Sequence, residues 1–188
     1  MLILASKSPR RRELIARLGV PYEVCASDAD ESVCGLLAPD EYVKTLALRK
    51  AQAAANTHPG DVVLGVDTVV VLDGRILGKP QNICDAAQML RALSGRSHEV
   101  FSGFALIGDG KVYSESVRTT VRFAALSDEE IARYVASGEP MDKAGAYGIQ
   151  GEGALLVEGI SGDYYNVVGL PLQRIYAVLK SDFGVVFK

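Results

Sequence analysis

Residues 62–77 constrain the fold more than any other stretch. They read as two apolar, valine-rich runs around one carboxylate, Asp67, with the second run folded back at Asp73-Gly74. Asp-Gly between apolar runs is a strong short-range hairpin signal, because a two-residue turn of the right hand needs both central residues at positive φ. Strands and helices interleave around this hairpin. Residues 1–5 read as a short buried strand and 22–26 as a second. Ser8 and Pro9 open a helix that Gly19 ends. A helix over 41–56 stops at His58-Pro59-Gly60, and Asn82 opens another that closes at Ser94-Gly95. Residues 98–123 resemble a β-meander turning at Gly108-Asp109-Gly110, with Val117, Thr119, Val121 and Phe123 on one face. Ser127-Asp128-Glu129-Glu130 is a capping box opening a helix to Ala136. A glycine-rich segment, 144–153, precedes a strand over 155–160 and a last helix over 172–179. The pattern is α/β or α+β with a mixed sheet.

Composition narrows the class of protein. The chain has 188 residues, 48% of them hydrophobic, which excludes disorder and suits one domain over 1–188 that buries roughly 70% of its unfolded surface. No apolar run approaches the ~20 residues that span a bilayer. The apolar start is short and is followed at once by Lys7 and three arginines, the reverse of secretory order. Three cysteines (Cys25, Cys34, Cys84) form no CxxC and leave one unpaired. Both features predict a cytoplasmic protein. A net charge of −3 argues against a general nucleic-acid binder. The two histidines, His58 and His98, build no metal-ligand spacing and no Ser/His/Asp order.

Three places break local rules. Arg10, Arg11 and Arg12 fill the first turn of the first helix, where the macrodipole disfavours cations by up to ~1 kcal/mol each. Either the turn is simply solvated, or it awaits a polyanion at the carboxyl end of the first strand. Lys50 falls in the middle of the apolar stripe Val43, Leu46, Ala47, Ala51, Ala54, so it either snorkels or points at an anion. Asp67 interrupts the apolar run, which makes it a general base or metal ligand, or else a carboxylate bound by backbone N–H groups at a strand bend. Thr68 beside it also reads as an ordinary β-former. The loop acids Asp28, Asp30 and Glu31 form a solvated turn or offer Mg²⁺ a carboxylate. Lys79, between Gly78 and Pro80, is presented from a restrained turn. The glycines of 144–153 let backbone approach a ligand, and Gln150 carries a donor and an acceptor suited to a base edge.

These residues lie in blocks that resemble the Maf family, the septum-formation-inhibitor-like nucleoside triphosphate pyrophosphatases. The blocks are Ser6-Lys7-Ser8-Pro9-Arg10-Arg11, Asp30-Glu31-Ser32, Lys50-Ala51, Val66-Asp67-Thr68-Val69-Val70 and Ile76-Leu77-Gly78-Lys79-Pro80. They continue through Leu93-Ser94-Gly95-Arg96-Ser97-His98-Glu99-Val100, Gly138-Glu139-Pro140, residues 142–151 and Asn166-Val167-Val168-Gly169-Leu170-Pro171. Thr45 departs from the pattern, where many relatives carry arginine.

The resemblance implies a mixed α/β sheet with flanking helices and two lobes around a central cleft, similar to the inosine triphosphate pyrophosphatase fold. It implies that Asp67 accepts the proton of the attacking water. Ser6, Arg10, Arg11, Lys50 and Lys79 would surround the triphosphate, and Glu31 with Asp67 would hold a divalent cation, Mg²⁺ or Mn²⁺. Arg10, Thr68 and Gln150 would choose the base, in the manner of the dTTP/UTP branch, with CTP or modified pyrimidine nucleotides as further candidates. A cytoplasmic homodimer without nucleic-acid or membrane partners is the implied setting. The rival reading is a nucleotide-binding regulator of septum formation and cell division without significant turnover.

Overall fold

The computed structural model describes residues 1–26, 29–32 and 36–187. Asp28 and Cys34 lie outside these residues. Strand β1 (Leu2–Ala5) runs parallel to both its neighbours, β2 (Tyr22–Cys25) and β3 (Val62–Leu72). Every β1 residue is buried, as a covered parallel strand requires. The hairpin forms where the sequence predicts it: Asp73 and Gly74 have φ of 50° and 75°, and β4 (Arg75–Leu77) returns antiparallel along β3. In contrast to the two runs expected, β3 passes through Asp67 as one strand of 11 residues. The carboxylate interrupts the hydrophobic pattern without interrupting the ladder.

Strands β5 (Ser97–Gly108) and β6 (Lys111–Phe123) are joined by a tight turn with Asp109 and Gly110 at φ of 51° and 71°. Strand β7 (Val157–Ser161) pairs antiparallel with β6. The sheet order is β2-β1-β3-β5-β6-β7, with β4 on β3, so the sheet is mixed.

Helix α1 (Pro9–Ile15) tightens into a 3₁₀ turn over Ala16–Leu18 and ends at Gly19 in the left-handed region. Ser8 takes the N-cap position, but its side chain makes no cap bond. Helix α2 (Pro39–Ala55) buries Val43, Leu46, Ala47, Ala51 and Ala54, the stripe its spacing predicts. The Asn82 side chain caps α3 (Ile83–Leu93), and the full Ser127/Glu130 capping box opens α4 (Asp128–Ala136). The glycine-rich region folds as 3₁₀ turns over Glu139–Asp142, Ala144–Ala146 and Gly151–Leu156. A short helix α5 (Tyr164–Val168), absent from the sequence pattern, precedes α6 (Leu172–Ser181).

The chain divides into two units. The first comprises Met1–Asp67, Ser102–Val117 and Gly169–Lys188; the second comprises Thr68–Phe101 and Arg118–Val168. In the first, the small residues Ala47, Ala51 and Ala54 of α2 pack on Ile3, Ala5, Val63 and Ala105 of the sheet. That approach is close. A Cβ on Gly65 would lie 2.1 Å from the Ala47 carbonyl oxygen, and one on Gly103 would lie 2.4 Å from that of Val43. The second unit is built on larger side chains, among them Leu90, Leu93, Phe123, Ile131, Tyr134 and Tyr147. Each such side chain, fully buried, contributes roughly 1.5–3 kcal/mol. Buried His98 packs edge-on against Phe123 and Tyr147 there. Among the described residues no helix is long and apolar enough to cross a membrane.

Candidate active site

The loop leaving β1 supplies the first candidate residues. Ser6 is 5% exposed, and its hydroxyl oxygen accepts hydrogen bonds from the Ser8 amide (3.2 Å) and Arg11 Nη1 (3.4 Å). Arg11 also donates through Nη1 to the Val66 carbonyl and through Nε to the Gly169 carbonyl, both at 2.9 Å. It therefore ties the β1–α1 turn to β3, one residue before Asp67, and to the segment entering α6. Burial lowers the Arg11 pKa most; Asp67 and Glu31 oppose that shift and Arg10 reinforces it. A guanidinium stays charged through such a shift. A cation thus stands in the field of both candidate acids.

Lys50 resolves its sequence ambiguity in favour of an anion. Its ammonium donates to Asp67 Oδ1 at 2.6 Å and pairs with Glu31 Oε1 at 2.9 Å. Lys50 and Asp67 side chains are each 13% exposed, whereas Glu31 is 65% exposed. Helix α2 fixes Lys50 by burying Ala47 and Ala51 on either side of it, and β3 fixes Asp67. Glu31 is carried by a loop, and Arg49 braces that loop by donating to the carbonyls of Asp30 (3.2 Å) and Ser32 (2.5 Å). Asp30 turns away to Ser32, whose hydroxyl and amide hold its pKa below the usual carboxylate range. On α2, burial pushes the Tyr42 phenol up, and Asp67 and Glu31 add to the effect.

The structure therefore gathers Ser6, Arg11, Glu31, Lys50 and Asp67 through contacts within the first unit, with Arg10 close enough to act on Arg11. The remaining candidates belong to the second unit. Thr68 follows Asp67 on β3. Lys79 is exposed after β4, in a turn whose Gly78 carbonyl accepts the Gly145 amide at 3.0 Å. Gln150 is half-buried and extended, immediately before Gly151 at φ of 66°.

Two carboxylates from separate elements converge on one ammonium, and each has a second oxygen. Such a pair fits a divalent cation that takes its other ligands from a polyphosphate and water. Among the described residues no group of three His, Cys, Asp or Glu could hold a metal by itself. Chemically, the cluster offers a carboxylate base beside a buried cation, which suits activation of water near a polyanion.

Sequence reasoning missed Arg49, Tyr42 and Gly65. A glycine within an apolar strand run is a signal of close backbone approach, and the alanines of α2 are its complement. Arg49 carries no such signal, because its partners are loop carbonyls.

Comparison with known proteins places the chain. The family model described as Maf-like protein matches residues 1–182, and the chain belongs to the Maf family. A Symbiobacterium thermophilum protein named dTTP/UTP pyrophosphatase is 54% identical over 184 residues, covering 97% of this chain and 94% of that protein. A Bacillus mycoides protein of the same name is 51% identical over 179 residues, covering 95% and 94%. The fold is similar to that of a HAM1 protein from Coxiella burnetii, with a TM-score of 0.53 and 18% identity over 95% of this chain and 98% of the other. That likeness bears out the mixed α/β fold.

Proposed function

We propose that the chain hydrolyses the pyrimidine nucleoside triphosphates dTTP and UTP to the monophosphate and pyrophosphate. Its relatives at about half identity carry that activity in their names. The single observation that carries the chemistry is the Lys50 ammonium shared by Asp67 and Glu31. Arriving phosphate oxygens compete for Lys50, which releases Asp67 to take a proton from water. The water oxygen forms a bond to the α-phosphorus, the bond from that phosphorus to the bridging oxygen breaks, and pyrophosphate departs. A triphosphate carries about four negative charges, and Arg10, Arg11, Lys50 and Lys79 supply a comparable positive count. Fixed cations aimed at the departing group stabilise charge as it develops. A divalent cation held by Glu31 and Asp67 would supply further neutralisation of the phosphate oxygens. Ser6 holds the turn that carries the arginines, and Arg10, Thr68 and Gln150 select the base. The reading also assigns the protein to the cytoplasm, acting on free nucleotides as a homodimer, a state that molar mass measured by light scattering checks.

Isotopically labelled water tests the mechanism. Attack at the α-phosphorus puts the label in the monophosphate, and Asp67→Asn should lower kcat by at least about 10³-fold. Label in pyrophosphate, or release of orthophosphate, overturns the proposed attack. Full activity in Asp67→Asn removes Asp67 from its role.

A further inference from the structure

The glycine-rich segment invites a ligand-binding reading, yet the atoms its backbone approaches are the protein's own. Glu139 Oε2 accepts the Glu152 amide at 3.0 Å, and Oε1 accepts the Gly153 amide at 3.3 Å and the Tyr134 hydroxyl at 2.9 Å. That hydroxyl in turn accepts the Gly148 amide at 3.1 Å. The loop 148–153 is thus held on both sides of Gln150, and the Gln150 amide takes no part in these bonds.

The glycines are what permit the grip. A Cβ on Gly151 would lie 2.6 Å from Glu139 Oε2, and one on Gly153 would lie 2.7 Å from the Tyr134 hydroxyl and 2.2 Å from the Gly148 carbonyl oxygen. A Cβ on Gly148 would meet Lys143 Cε at 2.6 Å. Lys143 donates back to the Glu139 carbonyl at 2.6 Å, which fixes the turn bearing the carboxylate. Hydrogen bonds from backbone amides to a carboxylate are charge-assisted and directional, so they set the height of a loop as well as its stability.

We infer that Glu139, through the Gly148, Glu152 and Gly153 amides it organises with Tyr134, is a positioning residue for base selection by Gln150. The inference rests on the reading of Gln150 as a base-reading residue. Glu139→Gln keeps the volume but turns an amide donor toward backbone donors, leaving at least one of them unpaired. Displacement of the loop should weaken base recognition while leaving the phosphate chemistry in place.

The test compares dTTP, dGTP and inorganic tripolyphosphate as substrates for the parent protein and for Glu139→Gln, Tyr134→Phe, Gln150→Ala and the double variant Glu139→Gln/Gln150→Ala. Glu139→Gln should raise KM for dTTP roughly tenfold or more with kcat changed far less, and should narrow the preference for dTTP over dGTP. Hydrolysis of tripolyphosphate should stay within about twofold of the parent. The double variant should discriminate no worse than Gln150→Ala alone, because a residue acting through another adds nothing once that other is gone. Should Glu139→Gln fail to fold, Tyr134→Phe, which frees only the Gly148 amide and the Glu139 contact, should give a smaller shift of the same kind. Altered preference in Gln150→Ala with unaltered preference in both Glu139→Gln and Tyr134→Phe overturns the inference alone. Unaltered preference in Gln150→Ala overturns it together with the reading of Gln150.

Discussion

Replacing Gly65 by alanine would place a methyl group 2.1 Å from the Ala47 carbonyl oxygen, 2.6 Å from the Ala51 nitrogen and 3.0 Å from the Ala51 methyl. All three atoms belong to α2, and a methyl group needs roughly 3.2 Å from a carbonyl oxygen. The helix must therefore retreat from β3 by about 1 Å. Overpacking of this kind costs about 1–3 kcal/mol, and the smaller unfolded-state entropy of alanine returns about 0.4–1 kcal/mol. The net loss of about 1–2 kcal/mol lowers Tm by roughly 5 °C in a chain of this size. Lys50 immediately precedes Ala51, so the same retreat stretches its 2.6 Å contact with Asp67 beyond hydrogen-bonding distance. A displacement of ~1 Å at a reacting constellation can cost up to about 10²-fold in rate, and flexion of the lysine stem absorbs part of that. The expected loss in kcat/KM for pyrophosphate release from dTTP is therefore about 10- to 100-fold. Gly103→Ala is the matched control. Its methyl would strike Val43 and Lys44, about two helical turns before Lys50, so it should lower Tm comparably and the rate less. A Gly65→Ala protein with parental Tm would refute the close-packing argument. Lowered Tm with parental kcat/KM would refute the link from helix seating to Lys50.

Two further perturbations probe other parts of the structure. Arg49→Ala frees the carbonyls on either side of Glu31, so under the proposed cation site half-maximal activity should need roughly tenfold more Mg²⁺ with kcat nearly kept. An unchanged Mg²⁺ titration would separate Arg49 from Glu31. Burial holds the His98 pKa at about 4, below the ordinary 6.5, while its Nε2 meets the Tyr147 hydroxyl at 2.8 Å. The unfolded chain then binds the proton first, so stability is fully present above pH ~6.5 and is lost as pH falls toward 4. Between pH 7 and 4.5 this amounts to about 2 kcal/mol, read as the difference in urea-unfolding free energy between the parent and His98→Gln at the two pH values. Equal pH dependence in the two proteins would count against a buried neutral imidazole.

What could be read from the sequence was whatever the chain states locally. The Asp73-Gly74 turn, the Ser127/Glu130 capping box and the apolar stripe of α2 depend on neighbours within a few residues, and all three are present. Lys50 and Asp67 were detectable because a charge within an apolar pattern is conspicuous, and their 2.6 Å contact accounts for both. Features that depend on a distant partner were not legible. Nothing near Arg49 announces the loop carbonyls it reaches, and nothing in 148–153 names Glu139 as the group its glycines surround. The short helix α5 and the 3₁₀ turns lack the length for a periodic signal. Nothing near Arg11 in the sequence announces the Val66 and Gly169 carbonyls that engage it.

The division of the chain into two units bears on how its parts can be exchanged between relatives. The boundary cuts β3 after Asp67, β5 before Ser102 and β6 after Val117, and crosses once more before Gly169. The second unit, with Thr68, Lys79 and Gln150, is therefore not a contiguous stretch of gene. Exchange of the one continuous stretch 68–168 would carry Ser102–Val117 of the first unit along with it, and three of the four junctions fall in mid-strand, where mismatched registers would turn side chains to the wrong face. Transplanting the second unit by itself takes two exchanges with junctions inside strands, a steeper route than substitution at individual positions within an inherited sheet.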